Sequence, residues 1–217
     1  MNIDNIKKLN DIIKDFAFIA GGVCRSIYLN EEPNDIDIFL KDKKYLENVL
    51  EIISKEYGDM ISENDNVVNF KDNIQVIKPR KTEYYLSYGK EDDVVSSFDF
   101  TICRGYIDEN LEIKWIDSEE SIESINTKQL KIKNIVCPIS SMRRAFKYAS
   151  KKEKYFMPLS QICILFQEFK NRNIDLSEAI KEFEEVEEFD WYEFFFKNNI
   201  DYRSTNVSNE RFTSLCR

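Results

Sequence analysis

Apolar positions recur first at helical and then at extended spacing along the amino-terminal part of the chain. Between Ile3 and Asp15, the residues Ile6, Leu9, Ile12 and Ile13 predict a helix with one buried stripe. Phe16 to Ala20 is a continuous apolar run that fits a strand and stops at Gly21-Gly22. Val23 to Leu29 predicts a short helix, Asn30 to Asn34 a polar turn, and Asp35 to Leu40 a second strand. Asp42 is a good N-cap for a helix over Lys43 to Tyr57, with Leu46, Val49, Leu50 and Ile53 inward and Gly58 as its stop. Asn66 to Phe70 and Asn73 to Lys78 predict a hairpin around Lys71-Asp72-Asn73. Ser97 to Arg104 alternates Phe98, Phe100 and Ile102 against Asp99, Thr101 and Cys103, which predicts a further strand. A hairpin from Arg104 to Trp115, a short helix over Glu119 to Ile125 and a last strand over Gln129 to Lys133 follow.

Beyond Pro138 the extended alternation ends. Ile139 to Lys152 predicts a helix with Met142, Ala145, Phe146 and Ala149 inward and Arg143, Arg144, Lys147, Lys151 and Lys152 outward. Leu159 to Lys170 is a strongly apolar helix, and Leu176 to Val186 an acidic amphipathic one. Phe189 to Phe196 is dense in aromatic residues, which suggests packing or self-association. The polar end, Ser204 to Arg217, is expected to be disordered. The pattern as a whole defines an α/β (α+β) chain: a mixed-sheet head over residues 1–136 and a helical region over 137–217.

Composition narrows the chemistry. With 42% hydrophobic and 13% aromatic residues among 217, a substantial core can form. No apolar run approaches a membrane span and no signal peptide is visible, so a cytoplasmic protein is expected. The five cysteines are scattered without metal-ligand spacing. The absence of histidine excludes Ser-His-Asp, Cys-His and His-ligated zinc chemistry. Acid–base work falls to carboxylates, Lys, Tyr or metal-bound water. The net charge of −9 weakens the case for a long nucleic acid without excluding a local basic patch.

The second strand carries the candidate chemistry. In an extended chain alternate side chains share a face, so Ile36 and Ile38 point into a core while Asp35 and Asp37 lie together on the other side. Two like charges this close call for a counterion, and a hard divalent cation such as Mg²⁺ suits oxygen ligands shared with phosphates. Gly21-Gly22 follows an apolar run and opens a helix, where the backbone can approach phosphate oxygens closely. A phosphate grip beside a metal site points to phosphoryl or nucleotidyl transfer.

The pattern Ile19-Ala20-Gly21-Gly22-Val23 through Arg25 to Asp35-Ile36-Asp37-Ile38-Phe39 resembles the DNA polymerase β-type nucleotidyltransferase superfamily. Within it the similarity is to the branch of tRNA CCA-adding enzymes and bacterial poly(A) polymerases, and to short phage and bacterial proteins with a like head. It covers roughly the first half of the chain. The resemblance implies that Asp35 and Asp37 hold two Mg²⁺ ions and that Gly21, Gly22 and Arg25 grip a triphosphate. The alternative for Arg25 is a surface ion pair with Glu31 or Glu32. By position after the head, Arg143, Arg144 and Lys147 are candidates to meet phosphates or the incoming base; the alternative is a solvated face. The family places a third carboxylate on the strand where this chain has Ile74-Gln75-Val76-Ile77, and Gln75 is neutral. Asp99 is a possible replacement as third metal ligand or catalytic base. In the family a matching Asp-Phe-Thr stretch instead serves the nucleotide's sugar, and an edge-strand carboxylate is the plain alternative. Lys78-Pro79-Arg80-Lys81 with Tyr84, Tyr85 and Tyr88 reads either as a contact for a single strand or as a solvated loop with packed tyrosines.

Taken together, the expectation is a Mg²⁺-dependent enzyme that moves a nucleoside monophosphate from an NTP to an acceptor hydroxyl, releasing pyrophosphate. An RNA 3′ end, tRNA in particular, follows from the family branch. A protein or small-molecule acceptor is the second expectation. A non-catalytic NTP-binding or interaction module, partnered with another protein, is the third.

Overall fold

The structure, a computed structural model, describes residues 2–149 and 154–174. The segments Leu176 to Val186, Phe189 to Phe196 and Ser204 to Arg217, and the basic residues Lys151 and Lys152, lie outside the described residues. The chain divides into two compact units, Met1–Ser141 and Met142–Arg217.

The first unit is built on a mixed seven-stranded sheet. Its strands are β1 (Ala17–Ala20), β2 (Ile36–Leu40), β3 (Ser62–Glu63), β4 (Val67–Asn69), β5 (Ile74–Ile77), β6 (Gly105–Ile107) and β7 (Ile113–Trp115), in the order β3-β4-β5-β2-β1-β6-β7. Only the β2–β5 pair is parallel; every other pair is antiparallel. The helices of this unit are α1 (Ile3–Ile13), α2 (Gly22–Tyr28), α3 (Leu46–Tyr57), α4 (Glu91–Ser96) and α5 (Ser118–Asn126). The helix α6 (Pro138–Ala149) begins here and continues into the second unit, which also contains α7 (Leu159–Asn171).

Alternation along the two central strands separates the faces. Ile19, Ile36, Ile38, Ile74 and Val76 pack with Ile6, Leu9 and Ile13 of α1 and with Val49 and Ile53 of α3. Each of these side chains contributes roughly 1.5–3 kcal/mol by leaving water. On the opposite face Phe18, Ala20 and Phe39 meet Val94 and Val95 of α4. Asp37 shares that second face, because it alternates with Ile36 and Ile38.

Local signals account for the element ends. Asn2 caps α1 by accepting the Asn5 N–H at 2.9 Å. Asp42 accepts the Lys44 N–H at 3.0 Å and so starts a 3₁₀ turn, Lys43–Tyr45, that leads into α3. Gly58 ends α3 at φ +91°. On α1, Ile12 is only half-buried, and Asn10 takes an inward place instead, its side-chain amide donating to the Asp108 carbonyl at 3.2 Å.

Two expected strands do not form. Ser97 to Arg104 is a turn, a single bridge between Phe100 and Ile132, and a 3₁₀ turn over Thr101–Cys103. The alternation is not realised, because Thr101 and Cys103 are buried together with Phe100 and Ile102. Side chains fix this shape: Thr101 Oγ1 donates to Ser124 Oγ at 2.9 Å, and Ser121 Oγ donates to the Thr101 carbonyl at 2.9 Å, both from α5. Gln129 to Lys133 likewise yields bridges and no ladder. The structure adds β3 and α4, which the sequence pattern does not single out.

In the second unit Met142, Ala145 and Phe146 of α6 form a small core with Met157 and with Ile162 and Leu165 of α7. The Tyr155 N–H donates to the Tyr148 carbonyl at 2.9 Å, and the two rings meet edge to face.

Candidate functional site

The site is built where β1 ends. Gly21 adopts φ +93° and ψ −142°, a conformation that L side chains rarely enter. Its N–H donates to the Gly105 carbonyl at 2.9 Å, which ties the turn to β6. Gly105 is itself demanded by packing: a Cβ there would stand 2.8 Å from the Trp115 ring and 3.2 Å from the Cys24 Cβ. Gly22 differs, since a Cβ added there would meet nothing within 4 Å and its φ is ordinary.

The strand register gathers polar side chains beside this turn. Asp37 pairs with Ala20 on one side and Gln75 on the other, Gln75 pairs with Asn69, and Ala20 pairs with Tyr106. Partners in a ladder share a face, so Asn69, Gln75, Asp37, Ala20 and Tyr106 form one row across the sheet. The Asn69 side-chain amide donates onward to Ser62 Oγ at 3.0 Å. Asp37 Oδ2 lies 3.6 Å from the point a Cβ on Gly21 would occupy, and the Phe98 ring lies 3.9 Å from the same point. Asp35 precedes β2 by one residue, and Asp35 and Asp37 are both half-buried.

Arg25 lies on α2 and is only 4% exposed. Cys24 beside it is fully buried, and burial pushes its thiol well above the ordinary range.

Asp99 is 5% exposed and sits in the turn between α4 and the 3₁₀ segment. Its carbonyl accepts the Lys133 N–H at 2.7 Å. Arg104 secures the same turn: Nη1 donates to the carbonyls of Ser96 (2.5 Å) and Phe98 (3.2 Å), while Nε pairs with Asp117 at 2.7 Å. Among the described residues no three acidic or thiol side chains gather closely enough to hold a metal ion. Asp35, Asp37 and Asp99 therefore do not form a ready three-carboxylate cluster. The reason is local: the Asp99 segment is not a strand laid beside β2, and the sheet position next to Asp37 belongs to Gln75.

The donor set bears on Mg²⁺. Two half-buried carboxylates in an Asp-x-Asp arrangement fit one such ion, because Mg²⁺ commonly takes one or two protein carboxylates and completes its shell with phosphate oxygens and water.

Much of the basic and aromatic stretch is engaged elsewhere. Lys78 pairs with Glu63, Arg80 donates to the Asn66 side chain, and Tyr88 packs against the main core. Tyr84 remains 47% exposed. On α6, Arg143 and Lys147 are exposed and Arg144 is half-buried; all three belong to the second unit.

Sequence reasoning missed Phe98, Arg104 and Gly105. Phe98 packs against the cluster of Phe18, Phe39, Val94 and Val95, as the apolar pattern predicts, but from a turn and not from a strand. A glycine at the start of a strand, as at Gly105, was the available signal for a close approach.

Fold comparison defines the class. A CCA-adding enzyme in an apo form superposes with a TM-score of 0.60 at 11% identity, over 85% of this chain and 49% of that one. A tRNA-processing enzyme in an apo form gives 0.55 at 16% identity, over 96% and 71%. The Thermotoga maritima CCA-adding enzyme complexed with tRNA gives 0.54 at 13% identity, over 77% and 42%. The first unit thus has the nucleotidyltransferase fold of CCA-adding enzymes.

The particular family is a different one. The profile of the Gad2 family, Gabija anti-defense 2, matches residues 2–128, more than half of the chain, which therefore belongs to that family. A relative from Bacillus phage SPbetaL7, named Gabija anti-defense 2, is 27% identical over 140 residues, covering 63% of this chain and 33% of that protein. The chain spans about a third of that relative's length. Among the described residues, no helix is long and apolar enough to cross a membrane.

Proposed function

We propose that this chain binds an NTP with Mg²⁺ at the β1–α2 turn and transfers its nucleoside monophosphate to an acceptor hydroxyl, and that this activity opposes the Gabija defence. The observation that carries the reading is the placement of Asp37 Oδ2 against Gly21, beside a Gly22 whose open flank packing does not require. Asp35 and Asp37 would hold Mg²⁺, which would offset the charge of the triphosphate and of the departing pyrophosphate. Gly21, Gly22 and Arg25 would take the phosphate oxygens. Asp99 is assigned to the sugar side of the nucleotide, since among the described residues it forms no three-carboxylate cluster with Asp35 and Asp37. Arg143, Arg144 and Lys147 are proposed to meet phosphates of the nucleotide or of an RNA. In the transfer the acceptor oxygen bonds to the α-phosphorus while the bond to the β-phosphate oxygen breaks. The hydroxyl proton passes to a carboxylate of the site.

The likeness to enzymes of tRNA processing supports an RNA 3′ end, tRNA in particular, as acceptor. The net charge of −9 favours a second reading, a hydroxyl on a protein of the Gabija system, because an acidic surface repels a long polyanion.

The test is label transfer. The protein would be incubated with Mg²⁺ and each α-³²P-labelled NTP, alone, with total tRNA, and with extract of cells carrying the Gabija system. An Asp35→Ala/Asp37→Ala double variant is the control. Label on RNA, lost in the variant, establishes the RNA acceptor; label on a protein band establishes the protein acceptor. Absence of both transfer and Mg²⁺-dependent NTP binding overturns the enzyme reading and leaves an interaction module.

A further inference from the structure

We propose that Phe98 is a nucleoside-binding residue: its ring forms the wall against which the base of the bound nucleotide stacks. The inference rests on the nucleotide reading above and deepens it by naming what lies beyond the triphosphate. Three observations lead to it. The Phe98 ring and Asp37 Oδ2 approach the same point beside Gly21, at 3.9 and 3.6 Å. The ring is tilted against Phe39 at a centroid distance of 5.2 Å and the residue packs against the cluster of Phe18, Phe39, Val94 and Val95, yet it is only half-buried. Behind it an aromatic floor continues through Phe18, stacked on Phe39 at 5.9 Å, to Tyr106 at 6.2 Å from Phe18.

The turn that presents the ring is held from several directions. Arg104 binds the carbonyls of Ser96 and Phe98. Ser97 Oγ donates to the Val94 carbonyl at 2.7 Å, and the Asn134 side-chain amide donates to the Ser97 carbonyl at 2.8 Å. The backbone that carries the ring is therefore set before a ligand arrives, which lowers the ordering cost of binding. The chemistry chooses the ligand moiety. A neutral aromatic face offers nothing to a hydrated phosphate, whereas it stacks readily on the flat face of a base. With the charged groups of the nucleotide directed to Gly21 and the carboxylates, the base is the part left for the ring.

The test compares two ligands on the full chain by calorimetry in Mg²⁺: ATP, which has a base, and tripolyphosphate, which does not. Phe98→Ala should weaken ATP binding roughly tenfold or more and leave tripolyphosphate within about twofold, while Phe98→Tyr should retain ATP affinity. A purely structural role would lower both ligands together, which would overturn the proposal. So would an Ala variant that binds ATP as tightly as the parent. Should the Ala variant fail to fold, Phe98→Leu fills the core without a ring face, and the same loss restricted to ATP is expected of it. A parent protein that binds neither ligand overturns the nucleotide reading itself, an outcome distinct from one in which ATP binds and ignores Phe98.

Discussion

Gly21 and Gly22 are adjacent and chemically identical, yet the fold needs only one of them. Gly21 sits at φ +93°, so Gly21→Ala should cost about 1–3 kcal/mol of stability through backbone strain, while the new methyl would meet the Asp37 carboxylate only at an ordinary contact distance of 3.6 Å. Gly22 begins α2 with open space around it, and alanine there relieves the helix of a flexible residue, by up to about 1 kcal/mol. Gly22→Ala is therefore expected to hold or raise the melting temperature while weakening Mg²⁺–NTP binding roughly tenfold. Thermal melts paired with nucleotide titrations of both variants check this. A Gly22→Ala protein of unchanged nucleotide affinity would remove the reason for assigning that open flank to a ligand. Tyr106, in the same cross-sheet row, gives a prediction in pH. Burial, with the hydrogen bond that the phenol donates to Asp92 as the next cause, raises its pKa from 10.0 to about 12. The fold holds the neutral phenol, so its contribution is fully present below pH 10 and is lost as the pH rises toward 12. Between those values Tyr106→Phe should lose less stability than the parent, read from denaturant unfolding along a pH series.

At the scale of elements, β2 was legible because one face of it is buried and the other is not. Ile36 and Ile38 against Asp35 and Asp37 leave a single register in which the carboxylates escape the core. The hairpins β4–β5 and β6–β7 were legible for the same reason, helped by polar turns. Ser97 to Arg104 was not, although it alternates as cleanly. Its polar residues Thr101 and Asp99 are buried rather than solvated, and hydrogen bonds from α5 and from residues 133–134 outweigh any ladder. Those partners come from distant sequence, so no local pattern announces them. The same holds for Arg104, whose buried guanidinium shapes the turn around Phe98 through two carbonyls and Asp117. What the sequence did flag at this scale is Gln75, and the register places it directly beside Asp37. Gln75→Glu would set two carboxylates on neighbouring strands. Without metal, the expected loss is about 0.5–1 kcal/mol from like charges side by side. Millimolar Mg²⁺ should restore more stability to the variant than to the parent. Melts with and without Mg²⁺ decide it, and an equal metal response in both proteins would place the cation elsewhere than at Asp37.

For the molecule as a whole, the net charge of −9 sets the terms on which any polyanion can be engaged. At low salt the average field repels RNA, so binding must come from a local group of cations that outweighs it. One candidate group is Arg143, Arg144 and Lys147, of which Arg143 and Lys147 stand exposed on α6. Contacts from cations to a single strand release counterions and make affinity fall with salt, by about 0.7 in slope per phosphate neutralised. An Arg143→Ala/Arg144→Ala/Lys147→Ala variant should therefore bind RNA at least tenfold more weakly in low salt, with a salt dependence shallower by about 2 in log–log slope. Transfer to a protein hydroxyl has no such dependence, and its label should survive the variant. Fluorescence anisotropy of a labelled tRNA across a salt series, run beside the label-transfer assay, separates the two acceptors. Loss of RNA affinity with the slope unchanged would mean that the three cations act on folding of the second unit. Loss of both affinity and slope, with RNA labelling abolished, would place them on the acceptor strand.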